Sequence, residues 1–232
     1  MIRTFIFAAS LACSSLAQAG TVNVTFEGEV NFINRFNFGD VSATFSVGSP
    51  FSYTMSFNPT QSLPGQTQVF YRDAITGFNG SAGNYSFSGS TGALNVNNDA
   101  PFGPNQLPAD FLSIEHFTNW INRNDFSSGS VVAGYPLYGV SISSYAANSS
   151  FLSSANAAAD PFMALAANPA LLANWRFVIF VPDGPNSAVG IASGVLSAAT
   201  VSVVPEPTVA AVLLPGLLAV WLAARRRRTA GP

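Results

Sequence analysis

The chain has no lysine, one cysteine and one histidine, and only 9% of its 232 residues are charged. An ordinary soluble domain carries roughly 25%. The cysteine, Cys13, falls within the first twenty residues, so a body beginning at Gly20 has none. That excludes disulfides and any thiolate metal ligand or nucleophile. A single imidazole, His116, also excludes zinc held by histidines. We expect no cofactor and no metal site.

Positive charge is scarce where a fold must sit. From Gly20 to Val204 the bases are Arg35, Arg72, Arg123 and Arg176, against ten carboxylates, a net −6 for that stretch. A body of that sign has no electrostatic attraction to a phosphate backbone, which excludes nucleic acid as a partner. The whole-chain value of −2 hides this, because four of the nine arginines are consecutive near the C-terminus.

Two apolar segments mark the ends. MIRTFIFAASLACSSLAQAG has a basic residue, Arg3, then an apolar stretch, then small residues closing in Ala17-Gln18-Ala19. This is the layout of a secretory signal peptide over residues 1–19, cut before Gly20. Lipidation at Cys13 is not expected, because Ser10 occupies the upstream position where a leucine is wanted.

At the other end, Thr208 to Ala224 is an uncharged run. As a helix it would span about 25 Å, the short end of what crosses a bilayer. Arg225, Arg226, Arg227 and Arg228 follow and can snorkel to headgroups at the cytoplasmic side. Trp221 lies one turn inside them, and Pro215-Gly216 is a pair that membrane helices tolerate. The sequence thus predicts a C-terminal transmembrane helix over 208–224, with the body facing outward.

Just before that run stand Pro205-Glu206-Pro207, which fix an extended backbone suited to a protease or transpeptidase cleft. The order of Pro-Glu-Pro, apolar span, arginine cluster and chain end closely resembles the PEP-CTERM sorting signal of Gram-negative bacteria, here residues 203–229. The resemblance implies recognition by an exosortase, a membrane cysteine transpeptidase, and removal of the tail during export to the surface or extracellular matrix. It implies nothing about a catalytic activity of the body.

Between the signals, residues 20–202 have a two-residue rhythm. Val22, Val24, Phe26 and Val30 share one strand face, and Phe51, Tyr53, Met55 and Phe57 another. Val41, Ala43, Phe45 and Val47 alternate in the same way. Further strands are expected over 68–75, 84–89, 93–97, 110–117, 137–143, 175–181 and 189–203, separated by Gly/Asn/Pro turns. The pattern predicts an all-β domain, an antiparallel β-sandwich with a short helical insertion. That insertion is two helices over about 161–167 and 169–174, with Asp160 and Asn168 as N-caps before prolines.

Chemistry is sparse. His116 sits among apolar neighbours with no nucleophile elbow nearby, and the expectation is a solvent-facing strand histidine. Glu27 and Glu29 share a strand face about 7 Å apart, a spacing compatible with glycoside hydrolysis but equally with a guarded polar edge. Asn97, Asn98 and Asp99 with Asn105, or Asp183 with Asn186, offer oxygen ligands to calcium, although clusters of this kind usually make turns. Trp120, Tyr135 and Tyr138 fall near expected loops and could stack on sugars. The sequons at Asn23, Asn79, Asn84 and Asn148 have no role in a bacterial route.

The expectation is therefore an exported, non-enzymatic surface or matrix protein, anchored in the membrane until an exosortase processes it. A carbohydrate-binding module associated with exopolysaccharide is the alternative, and a secreted hydrolase the third reading.

Overall fold

In a computed structural model, the described residues are 20–204, apart from 39, 59–66, 103–106, 121–122, 128–130, 148–151, 153–158 and 184–186. The chain divides into two units, Val22–Ser202 and the two chain ends. Signal residues Ala17 and Ala19, the Pro205-Glu206-Pro207 motif, the 208–224 span and Arg225–Arg228 lie outside the described residues. Among the described residues, no helix is long and apolar enough to cross a membrane.

The body is all-β, as expected, but its sheet closes on itself. The long strands are β1 (Thr21–Ile33), β2 (Pro50–Phe57), β3 (Gln68–Ala82) and the successive pair β4 (Tyr85–Gly89) and β5 (Gly92–Phe102). After them come β6 (Leu107–Trp120), the short β7 (Arg123–Asn124), β8 (Val131–Val132) and β9 (Tyr135–Pro136), then β10 (Gly139–Ala147), β11 (Trp175–Pro182) and β12 (Ala188–Val204). Hydrogen-bonded order runs β10-β11-β12-β1-β2-β3-β5-β6, and β6 pairs with β10, which makes an eight-strand barrel. β4 precedes β5 along the same edge of β3, and β8 and β9 form a separate ribbon.

The expected two-sheet sandwich is corrected by one ladder. Val140 pairs with His116, Ile142 with Ile114 and Ser144 with Leu112, which removes the edges two open sheets would have had. Sequential antiparallel neighbours need only short connections. Nothing in a two-residue periodicity distinguishes the closed arrangement from the open one.

Barrel closure gives the alternating residues a single interior. Val24, Phe26, Tyr53, Met55, Phe57, Leu94, Ile114, Phe177 and Ile179 are all fully buried. Burying a side chain of this kind contributes about 1.5–3 kcal/mol each, which a cysteine-free domain must rely on.

One expected strand is absent. Residues 41–47 form a turn in which Val41 and Phe45 are buried while Val47 is exposed. Amides of Thr44 and Phe45 both donate to the Val41 carbonyl, so burial recurs every four residues rather than every two. Asp40 starts this turn by accepting from the Ser42 amide at 2.9 Å, and Gly48 ends it at φ 86°.

The helical insertion is present, as Asp160–Ala167 followed by a 3-10 helix, Pro169–Asn174. Asn168 caps the second by accepting from the Ala170 amide. Asp160 makes no cap on the first, whose N-cap position is Ala159. Phe162 turns inward, 5.3 Å from the Phe57 ring and 6.3 Å from Phe26. The insertion thus plugs the barrel end where β1 begins and β2 finishes.

Candidate functional site

Among the described residues, a polar cluster in the core gathers around His116. Its alternation on β6 with Leu112 and Ile114 points it inward, and closure by β10 removes it from water. His116 is fully buried, which corrects the expectation of a solvent-facing histidine. Its ring lies on Phe78 at 3.6 Å between centroids.

Both ring nitrogens are engaged. Nδ1 is 3.1 Å from the Thr91 carbonyl oxygen, which can only accept, so Nδ1 carries the proton. Nε2 is 2.6 Å from the Tyr53 hydroxyl. Burial, and after it the charge of Asp125, pushes the Tyr53 hydroxyl well above its ordinary 10.0. The phenol therefore stays protonated and shares a hydrogen bond with Nε2.

Asp125 completes the cluster from the loop after β7. One carboxylate oxygen accepts from the Thr91 hydroxyl at 2.8 Å, and the other from the Phe117 amide at 3.0 Å. Tyrosine, histidine and aspartate thus share a site, but its chemistry is that of a clamp. A covalent nucleophile needs its pKa lowered and its oxygen reachable. Tyr53 has it raised, and both Tyr53 and His116 are sealed in.

Asp110 is a second buried carboxylate. It accepts from the amides of Asp99 and Leu152 at 3.0 and 2.9 Å, tying the irregular stretch of β5 and the segment after β10 to β6. Of the calcium candidates, Asn97 is buried and Asp99 is exposed with φ 51°. The side-chain oxygens of Asn97 and Asn98 are buried without a hydrogen-bond partner. Asp183 donates its amide to the Ser187 carbonyl in a turn, and Asn105 and Asn186 lie outside the described residues. Among the described residues, no group of three or more His, Cys, Asp or Glu side chains comes together.

Glu27 and Glu29 are exposed on the outer face of β1, as their spacing requires. Trp120 ends β6, and its side chain lies outside the described residues. Tyr135 is half-buried, packed edge-on against Phe38 at 5.0 Å. Tyr138 is half-buried against Phe117 at 5.9 Å. These two tyrosines each pair with a different aromatic ring and form no common platform.

Sequence reasoning missed Tyr53, Thr91 and Asp125. Tyr53 reads as one more apolar strand residue, and 63 positions separate it from His116. Only closure of the barrel brings them together. No known protein family, curated protein or solved structure matches this chain.

Proposed function

We propose that this chain is an exported, non-enzymatic β-barrel of the cell surface or extracellular matrix. On this reading it is delivered with its C-terminal helix in the inner membrane and is released or transferred when an exosortase acts near Pro205-Glu206-Pro207. The observation that carries the proposal is where the barrel begins and ends. β1 starts at Thr21, one residue past the expected signal-peptide cut, and β12 runs to Val204, the last described residue before Pro205. Cuts before Gly20 and after Val204 would leave every described strand whole.

β12 and β1 are also neighbours in the ring. The close approaches of Gly28 to Val195 and of Gly194 to Glu29, with the Ser197 hydroxyl donating to the Glu27 carbonyl, make them antiparallel. The first residues of the barrel therefore lie beside its last.

The clamp around His116 supports a body without catalysis, since its phenol and imidazole are locked to each other and inaccessible. Exchanging Pro205-Glu206-Pro207 for alanines tests the proposal in the native host. The expected outcome is a full-length, membrane-retained protein in place of a processed one. Unchanged processing of that variant would overturn it.

A further inference from the structure

The outer wall over β2, β3 and β4 carries two adjoining depressions. The larger, about 500 Å³, is lined by Ser52, Asn79, Ser81, Ser86 and Ser88 over Gly80 and Phe87. The second, about 260 Å³, lies toward the far rim and is lined by Ser42, Thr44, Ser46, Ser49 and Asn84. Cross-strand register joins them. Ser52 pairs with Ser81 and Ser81 with Ser86. Two residues further along, the Gly83 amide donates to the Pro50 carbonyl, and both of those residues line the second depression. The second depression thus follows the first along these strands, toward the rim.

Neither part is lined by a charged side chain. In a body with net −6 that leaves a neutral strip, unsuited to binding an ion by charge. Hydroxyls and side-chain amides both donate and accept, so the strip can match a ligand whose groups also do both.

The hydroxyls in the larger part are also uncommitted. One strand pair away, the polar side chains of the same outer face satisfy each other: Thr25 bonds Thr54 at 2.9 Å, and Ser56 donates to Asn23 at 2.6 Å. Ser52, Ser81, Ser86 and Ser88 make no such side-chain bond to the described residues. At the rim, by contrast, Ser46 and Ser49 bond each other, and Asn84 donates to the Ala43 carbonyl, which fixes the wall of the second depression. Strand pairing sets the free groups about 4.8 Å apart across the sheet and about 6.8 Å apart along it.

We propose that the two depressions act as one groove and bind a neutral polysaccharide strand, with sugar hydroxyls bridging the serine rows and the chain axis running from Ser88 to Ser46. Phe45 and Phe87 are buried, so the contact is hydrogen-bonded rather than stacked, and affinity for an oligosaccharide falls in the millimolar range. This gives the exported barrel a ligand but does not depend on processing of the tail. It is tested on the unprocessed chain, so its failure would leave the sorting proposal standing.

The test is titration of the isotope-labelled full-length chain in detergent micelles with cellohexaose, maltohexaose and, as the charged counterpart, a galacturonate hexamer. Amide resonances are followed throughout. The expected result is saturable shifts from at least one neutral hexamer, confined to the segments around Ser46–Ser52 and Asn79–Ser88. Binding is expected to weaken roughly tenfold in Ser86→Glu. Ser86 is exposed, so the substitution does not threaten folding. Ser197→Glu, on exposed β12 surface, should bind as the parent does. Three outcomes would overturn the proposal: no saturation at tens of millimolar, shifts unaffected by Ser86→Glu, or preference for the galacturonate.

Discussion

The rings of Phe51 and Phe177 stack face to face, 3.7 Å between centroids and 6° between planes, although two strands separate β2 from β11. What lets them meet is the absence of side chains beneath. Phe51 pairs with Gly28 and Phe177 with Gly194. A Cβ on Gly194 would lie 2.4 Å from the Phe177 ring and 2.0 Å from the Glu29 carbonyl oxygen. The two glycines form a floor over which the aromatic core closes, at the seam between the first and last strands.

Gly194→Ala should therefore destabilise the barrel by about 1–3 kcal/mol, the usual cost of overpacking a core. Gly77, also in a strand but with nothing within 4 Å of its absent Cβ, is the comparison. Gly77→Ala should be neutral or slightly stabilising. Urea midpoints of the two variants against the parent check the pair.

Tyr53→Phe removes the hydroxyl that bonds His116 Nε2 inside the core, at a cost of about 1–3 kcal/mol. It should also change the alkaline limb of stability. The Tyr53 pKa is raised in the fold, so its contribution is intact below the unfolded value of about 10 and is lost as pH rises above it. Chemical unfolding at neutral and strongly alkaline pH should show a steeper loss in the parent than in Tyr53→Phe.

Phe162 holds the plug in the barrel end. Phe162→Ala should cost about 3–5 kcal/mol. It should also shift the emission of Trp175, which stacks on Phe26 5.5 Å away behind the plug, toward that of a solvated indole. Met163, the next residue, is half exposed, and Met163→Ser should change stability by no more than about 0.5 kcal/mol.

Asp110→Ala should free the two amides that its carboxylate now holds. Hydrogen exchange at Asp99 and Leu152 should speed up selectively. Exchange on the opposite side of the barrel, at Val24 for instance, should follow only the global change in stability.

Much of this fold was legible because alternation alone decides which strand residues face the interior. Inward residues of β1 and β2 are those the two-residue period selects, and the prolines at 161 and 169 correctly mark two helix starts. Residues 41–47 misled because Val41, Ala43, Phe45 and Val47 alternate in sequence while Asp40 and Gly48 bend the backbone into a turn. A sandwich and a barrel share the same periodicity, and the β6–β10 pairing that separates them is a long-range contact with no local signature. The His116 cluster was invisible for the same reason. Its members are scattered over β2, β6 and two loops, and a buried histidine among apolar neighbours reads like an exposed one until the facing strand is known.

The most direct test of the central proposal is the intact mass of the protein recovered from the membrane and medium fractions of its native host. A species beginning at Gly20 and ending between Val204 and Pro207 is expected. A mass that runs through Arg228 and stays in the membrane would contradict it, and the tail would then be a permanent anchor.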